Sequence, residues 1–224
     1  MQKKHYQNQF EAGEILAEEL LAFRGEDVLV LAVPRGGVPV ALPVMQALHC
    51  ELDLIIPRKI GAPLQPEVAI GAVCEDGDVL LNPYLVRALG VTDDYLNKAT
   101  AKEVAEIKRR LGAYRGVRSP AAVEGRTVIV VDDGVATGFT ITAALQAVAR
   151  RRPSELVLAV PVAPPDTVDT LASEVDRIIC PLQPESFSAV GQFYKRFEQL
   201  HDGDVQRMLA QAWHGFKKGN GDER

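Results

Sequence analysis

Five strand-sized runs of this chain are apolar at almost every position. A strand with one face in water alternates apolar and polar residues, whereas a strand buried on both faces is apolar nearly throughout. Such runs, separated by helical patterns, therefore predict an open α/β fold with a mostly parallel sheet and helices on both faces. The predicted strands lie at 28–34, 52–57, 126–133, 155–162 and 175–181.

Helical patterns fill most of the intervals between these runs. In the first of them, Ile15, Leu16, Leu20 and Phe23 recur at helical spacing. With 224 residues, 47% of them hydrophobic and 25% charged, the chain is long enough to bury one full core. The predicted helices lie at 11–23, 39–49, 93–114, 138–151 and 166–173.

Residues 1–182 are predicted to form the core, and one segment within it departs from the alternating pattern. In residues 58–82, two short strand-like runs are joined by the turn-rich tetrad 75–78, which predicts a flexible hairpin or flap. The next helix, at 93–114, is polar, and its basic side at 108–110 is expected to face solvent.

Residues 183–214 break the regularity again and predict a small C-terminal hood, with a last helix near 204–213. Four aromatic residues of the hood either form its core, which we favour for most of them, or stack on a flat ligand. They are Phe187, Phe193, Tyr194 and Phe197. The Gly-rich, charged tail at 215–224 is predicted to be disordered.

The composition argues against several classes of protein. The longest apolar runs, 28–34 and 156–162, are far shorter than the roughly 18 to 20 residues of a membrane helix, and no secretory signal is evident, so we expect a cytoplasmic protein. A net charge of -5 disfavours non-specific nucleic-acid binding. Cys50, Cys74 and Cys180 form no C-x-x-C pair, and the histidines lack ligand spacing, which predicts reduced thiols and no protein metal site.

The segment 127–140, TVIVVDDGVATGFT, predicts an anion-binding loop. A buried strand ends there in two acids, and small and hydroxyl residues then open a helix. The backbone N–H groups of 135–140, the positive end of the helix and the hydroxyls of Thr137 and Thr140 can all point at one phosphate group. Gly138 allows the backbone to approach that ligand closely.

Asp132 and Asp133 would repel such a phosphate, but carboxylates accept hydrogen bonds from the hydroxyl groups of a sugar. A phosphate site beside a hydroxyl site predicts a sugar phosphate as the ligand. The glycine patterns of the P-loop and of the Rossmann dinucleotide site are both absent from the sequence. The alternative is that both acids are ordinary strand-end residues that cap the following helix.

The stretch VIVVDDGVATGFT, residues 128–140, resembles the signature of the type I phosphoribosyltransferases. The resemblance extends from 28 to 180 and matches the flap and hood more loosely. It implies that Asp132 and Asp133 bind the ribose 2- and 3-hydroxyls of phosphoribosyl pyrophosphate (PRPP). It further implies that the 5-phosphate is bound by Val135, Ala136, Thr137, Gly138, Phe139 and Thr140.

A second strand-to-helix turn, AVPRGGVPVA at 32–41, places a cation and two glycines after the first strand. Gly36 and Gly37 let the backbone approach a ligand, and Arg35 adds a fixed positive charge. Taken alone, the pattern also fits a plain tight turn. The resemblance implies that it is the loop for the diphosphate of PRPP, with a cis non-proline peptide at Arg35 or Gly36.

Arg58 and Lys59 follow the second strand and lead into the Pro- and Gly-rich flap. The resemblance implies a loop that closes over the diphosphate and excludes water, and it makes these two cations the candidates for neutralising the leaving group. The alternative is that both are solvated charges beside a hairpin.

The resemblance thus implies a PRPP-dependent glycosyltransferase of nucleotide metabolism, with Mg²⁺ bound together with PRPP. The acceptor is expected to be a nitrogen of a nucleobase or related heterocycle. Members acting on hypoxanthine or guanine commonly carry an aspartate where this chain has Ala136. The alanine weighs against a 6-oxopurine acceptor, and the acceptor is otherwise undetermined. Its expected partners are these small molecules and, by resemblance, a second copy of the chain, with no nucleic acid and no membrane. The alternative is a non-catalytic sensor of PRPP or a nucleotide.

Overall fold

The computed structural model describes residues 5–219, and the side chains of residues 5–215. The strands are β1 (Val28–Ala32), β2 (Glu51–Leu54), β3 (Arg58–Ala62), β4 (Gln65–Val73), β5 (Val79–Leu81), β6 (Thr127–Val131), β7 (Glu155–Ala159) and β8 (Arg177–Ile179). Five of them form a fully parallel sheet in the order β2–β1–β6–β7–β8. The mostly parallel sheet predicted from the apolar runs is therefore confirmed.

Helices cover both faces of this sheet. They are α1 (Gln9–Glu19), α2 (Gly37–Leu48), α3 (Pro83–Ala88), α4 (Asp93–Arg115), α5 (Phe139–Ala149), α6 (Pro165–Leu171) and α7 (Asp202–Gly219). Alternate residues of β1 enter two different cores: Val30 packs in the cluster that contains residues of α2 and α7, and Leu31 packs in the cluster that contains residues of α5. Both faces of β1 are buried, which explains why the strand is apolar throughout.

The flap is a three-stranded antiparallel sheet in the order β3–β4–β5. The predicted hairpin corresponds to β4 and β5, but Arg58–Ala62, where no strand was predicted, forms the additional strand β3. α3 was not predicted either. The start of α4 is fixed to the flap, because the Tyr95 hydroxyl donates to the carbonyl oxygen of Gly61 at 2.8 Å.

The hood is built around aromatic residues, as the sequence analysis favoured. Phe193 and Tyr194 are buried with Tyr6 in one cluster, against which Phe187 packs. Phe197 differs from the others because it is 40% exposed, although its ring lies 5.1 Å from that of Tyr194. Most of these aromatic rings therefore belong to the hydrophobic core of the hood.

α7 belongs to the core and not to the hood in which the sequence analysis placed it. Val205, Leu209 and Trp213 are buried in the same cluster as α2 and β2. The Trp213 indole N–H donates to the carbonyl oxygen of Leu52 at 2.7 Å, so α7 covers β2, the edge strand of the sheet. α7 also continues through Gly219, so residues 215–219 of the predicted disordered tail are helical, and the rest of that tail lies outside the described residues.

A buried ion pair joins the base of the flap to the parallel sheet. The Arg115 guanidinium, at the end of α4, donates to Asp53 at 2.7 Å and to the carbonyl oxygen of Leu54 at 2.9 Å. The second Asp53 oxygen accepts from the N–H of Ala121 at 2.8 Å, and Glu75, just after β4, lies 3.5 Å from Arg115. Every charge in this network faces a partner, as buried charges require. Within residues 5–219, no helix is long and apolar enough to cross a membrane.

Candidate active site

The sheet places two strand-to-helix loops side by side. β1 and β6 are adjacent parallel strands with Ala32 opposite Val131, so the loops that follow them begin at the same edge of the sheet. These loops are residues 33–37, which hold the predicted diphosphate loop, and residues 132–138, which hold the two acids and most of the predicted phosphate site. The N–H of Val33 donates to the carbonyl oxygen of Val131 at 2.8 Å and joins the two loops at their base.

The two loops approach so closely that glycine is required at their contact. A Cβ atom on Gly36 would lie 1.8 Å from Oδ2 of Asp133, and one on Gly37 would lie 2.6 Å from the carbonyl oxygen of Val131. Neither position can accept a side chain without displacing its neighbour. The peptide bond between Pro34 and Arg35 is cis, at the place where the family resemblance led us to expect it.

The loop after β6 presents a row of backbone N–H groups at the start of α5. Gly138 has a φ of 75°, in the left-handed region that favours glycine, and it immediately precedes the helix. Within the described part of the chain, the N–H groups of 136–140 meet no hydrogen-bond acceptor. Ala136 and Thr137 are exposed. These five N–H groups, together with the positive end of α5, are suited to bind an anion.

Val135 has a different role from the phosphate binding that was predicted for it. Its N–H donates to the carbonyl oxygen of Val162 at 2.9 Å, and its side chain is buried. It therefore anchors the loop, and the free N–H groups begin at Ala136. The loop is fixed from the other side by Thr167 of α6, whose hydroxyl donates to the carbonyl oxygen of Ala136 at 2.7 Å. Nothing in the local sequence around Thr167 indicates this contact.

Asp132 and Asp133 lie at the meeting point of the two loops, in an environment that opposes their ionisation. Burial raises the pKa of Asp133 to about 6. Burial and then the charge of Asp133 raise the pKa of Asp132 well above its ordinary value. The N–H of Asp133 donates to Asp132 Oδ1 at 2.8 Å and partly offsets the repulsion. Perturbed carboxyl groups of this kind, held together in a cleft, are typical of functional sites.

Two residues from distant parts of the chain act on Asp133, and the sequence analysis assigned neither of them to the site. The Tyr194 hydroxyl, from the hood, donates to the carbonyl oxygen of Asp133. Gln9, buried at the start of α1, lowers the pKa of Asp133 in part and so offsets some of the effect of burial. Both residues are far from Asp133 in the sequence, so only the three-dimensional structure reveals their effect on it.

Arg58 and Lys59, predicted to be catalytic, lie in β3 and are each paired with a carboxylate. Arg58 forms an ion pair with Glu103 of α4, and the ammonium of Lys59 lies 2.9 Å from Glu67 of β4. Both cations line a cavity of about 540 Å³ between the flap and α4. Their catalytic role stays a prediction, because the ion pairs seen here join them to the flap and α4.

Comparisons with known proteins agree with this arrangement. A model of the phosphoribosyl transferase domain matches residues 3–195. Two curated Mycobacterium tuberculosis proteins, each described as a candidate phosphoribosyl transferase, are 39% identical over 213 residues, which is 95% of this chain and 48% of theirs. The chain thus spans about half the length of these relatives.

A solved structure, that of TT1426 from Thermus thermophilus, is 41% identical to the chain. The similarity covers 92% of this chain and 98% of that one, with a TM-score of 0.78. With the family model matched over most of its length and the loops after β1 and β6 placed together, the chain belongs to the type I phosphoribosyltransferase family.

Proposed function

We propose that this protein transfers the 5-phosphoribosyl group of PRPP to a nitrogen of a heterocyclic acceptor, such as a nucleobase, and releases pyrophosphate. One observation carries the proposal: Gly36 packs directly against Asp133, so that a loop suited to a diphosphate adjoins two acids suited to ribose hydroxyls. PRPP carries a diphosphate and two hydroxyls on neighbouring carbons of one ring.

The free N–H groups of 136–140 supply the third part of the site, which would bind the 5-phosphate. The hydroxyls of Thr137 and Thr140 are available to the same group. Asp132 and Asp133 would accept hydrogen bonds from the ribose 2- and 3-hydroxyls, whereas Gly36 and Gly37 would let the diphosphate reach the backbone. The donor would then be fixed at both ends and along its ring, which is how an enzyme lowers the entropic part of a barrier.

In the proposed reaction, the bond between the anomeric carbon and the diphosphate oxygen breaks, and its electron pair leaves with pyrophosphate. The acceptor nitrogen supplies the electron pair of the new bond from the opposite face. The positive charge that develops on the ring lies near Asp132 and Asp133, whose carboxylates would stabilise it. Ala136 cannot exchange a proton with the acceptor, so the acceptor nitrogen must lose any proton to another base or to solvent.

Arg58 and Lys59 remain our candidates for closing over the diphosphate. The flap would have to release their ion pairs with Glu103 and Glu67 before either cation could reach a ligand. Exposed pairs such as that of Lys59 contribute little to stability, so an anionic ligand can replace them.

The proposal includes Mg²⁺, and the residues present fit its arrival with PRPP. Among the residues that the structure describes, no group of three or more His, Cys, Asp or Glu side chains is placed to hold a metal ion. Diphosphate and ribose oxygens of PRPP, together with water, would supply most of the oxygen ligands that Mg²⁺ prefers. When bound, the ion would neutralise charge on the diphosphate and make it a better leaving group.

The decisive experiment incubates the protein with PRPP, Mg²⁺ and a panel of nucleobases and related heterocycles, and measures pyrophosphate release. Asp132→Asn with Asp133→Asn should abolish release and weaken PRPP binding, whereas Asp169→Asn, at an exposed position of α6, should change neither. PRPP binding unaffected by the double change would contradict the assignment of the two acids. Saturable PRPP binding without release for any acceptor would favour the sensor. The cytoplasmic location and the homodimer belong to the same proposal, and sedimentation of the purified chain tests the latter.

A further inference from the structure

Three arginines gather beside the diphosphate loop, and the family motif accounts for only one of them. Arg35 belongs to that loop, and Arg109 and Arg110 come from α4, where the sequence analysis expected a solvated face. We call these three residues the arginine cluster. Their side chains differ in exposure, at 44% for Arg35, 58% for Arg109 and 24% for Arg110, so all three keep access to solvent.

Glu106 fixes the two arginines of α4 in one orientation. Arg109 donates to both oxygens of Glu106, at 2.7 and 3.0 Å, and Arg110 donates to one of them at 2.7 Å. These hydrogen bonds lower the pKa of Glu106 to about 2, so it stays charged and continues to hold both guanidinium groups. The arrangement is preorganised, because less side-chain freedom is left to lose when a ligand binds.

A carboxylate of this same chain occupies the centre of the arginine cluster. Asp202, the first residue of α7, accepts a hydrogen bond from the Tyr114 hydroxyl at 2.7 Å. It lies 3.6 Å from Arg35 and 3.9 Å from Arg109. Both of these separations exceed the length of a good hydrogen bond, and the groups are partly exposed, so the two ion pairs are weak. A ligand with more negative charge and more oxygen atoms can outcompete the single carboxylate.

The position of the cluster indicates which part of the donor would reach it. Arg35 directly precedes Gly36, and Gly36 packs against Asp133, which we assign to the ribose. The diphosphate leaves the ribose ring at the carbon next to the 2-hydroxyl. It would therefore extend past Gly36 towards Arg35, and Asp202 in turn lies between Arg35 and Arg109 of α4.

We propose that Arg109 and Arg110 extend the diphosphate site and that the incoming diphosphate displaces the Asp202 carboxylate from the arginine cluster. The proposal rests on the proposed function, because it assumes that PRPP binds between the two loops. Its consequence is selectivity: the cluster favours PRPP over ribose 5-phosphate, which has the same phosphate and hydroxyls but no diphosphate.

The test compares these two ligands by isothermal titration calorimetry, with inorganic pyrophosphate as a third probe. Arg109→Ala with Arg110→Ala should weaken PRPP and pyrophosphate binding about tenfold or more, and change ribose 5-phosphate binding less than about twofold. Lys108→Ala, the exposed neighbour on α4, is the matched control and should change neither. Asp202→Asn should act in the opposite direction and tighten PRPP and pyrophosphate binding severalfold, because it removes the competing charge.

The outcomes separate this inference from the proposed function. If the unaltered protein binds PRPP more tightly than ribose 5-phosphate, but the arginine variant keeps the same ratio of affinities, the inference is wrong and the proposed function stands. If Asp202→Asn weakens PRPP binding as much as loss of the arginines, Asp202 positions Arg35 and displacement is wrong. If the unaltered protein binds neither ligand, both proposals are wrong. Circular dichroism of each variant checks that α4 and α7 remain folded.

Discussion

Asp133→Asn is expected to stabilise the folded protein while it weakens PRPP binding. The Asp133 carboxyl group lies half-buried beside Asp132, and this burial raises its pKa to about 6 from an ordinary value of 3.8. A raised pKa means that ionising the acid costs more in the folded chain than in the unfolded chain. An asparagine has a similar shape and carries no charge, so it removes this cost.

The size of the effect follows from the shift in pKa. At about 1.36 kcal/mol per unit, a rise from 3.8 to about 6 sets an upper bound of about 3 kcal/mol on the gain. Because solvent still reaches part of the side chain, we expect about 1 to 2 kcal/mol, or about 2 to 8 °C in the melting temperature of a chain of this size. The gain should be full above about pH 6 and fall as the pH drops towards the ordinary pKa, where both states are protonated.

Differential scanning calorimetry between pH 5 and pH 8, in EDTA and without ligand, measures this gain. Asp169→Asn, at an exposed site, controls for the general effect of removing a negative charge. Calorimetric titration with PRPP gives the binding half of the prediction. The argument would be refuted if Asp133→Asn melted below the unaltered protein at pH 7.5, or if its gain in melting temperature did not depend on pH. Either result would show that the fold does not disfavour ionisation of Asp133.

Three further changes test the contacts that support the site. Thr167→Val removes the hydroxyl that holds the loop after β6, and under the proposed function it should weaken PRPP binding about twofold to tenfold. Thr170→Val, whose hydroxyl bonds within its own helix, should leave PRPP binding unchanged. Tyr194→Phe leaves a buried carbonyl without its donor and should lower the free energy of unfolding in urea by about 1 to 2 kcal/mol, and an unchanged midpoint would contradict this. Arg115→Met leaves Asp53 buried and charged and should cost about 3 to 5 kcal/mol in the same assay, with part of the loss recovered when Asp53→Asn is added.

The central strands could be predicted from the sequence because their environment leaves a direct trace in composition. Leu29 and Leu31 face one core and Val30 faces the other, so no position of β1 tolerates a polar residue. β6 is likewise buried at every residue, and only its first residue, Thr127, is polar. Burial on both faces is a local consequence of the parallel sheet, and it is visible without knowing the order of the strands.

β3 and α7 depend on tertiary contacts, which local sequence patterns do not encode. β3 has only a few apolar positions, Ile60 and Ala62, separated by Gly61, and its pairing with β4 is irregular next to that glycine. Pairing with a neighbour creates this strand, not its own propensity. The helical spacing of α7 was evident, but the surface it covers depends on Trp213 reaching β2, which tertiary structure alone decides.

The candidate site divides in the same way. The loops after β1 and β6 were evident, because glycine, acids and hydroxyl residues at a strand-to-helix turn have a local physical meaning. The residues that fix the loop after β6, Thr167 and Tyr194, contact it across the fold, and no local sequence pattern marks them. Val135 was assigned to the phosphate because it lies within the motif, whereas its N–H donates to the carbonyl oxygen of Val162 and secures the loop.

Strand order gives a second and independent reason to place the ligand between the two loops. The chain passes from β1 to β2 at one edge of the sheet, and from β6 the later strands extend towards the opposite edge. The direction of winding therefore reverses between β1 and β6, and in open α/β sheets the crevice outside the carboxyl ends of the strands at such a reversal is where ligands bind. The contact between Gly36 and Asp133 lies there. A ligand confined to the cavity beside Arg58 would contact neither the free N–H groups of 136–140 nor the carboxyl groups of Asp132 and Asp133. The crevice is therefore the better candidate for the ligand site.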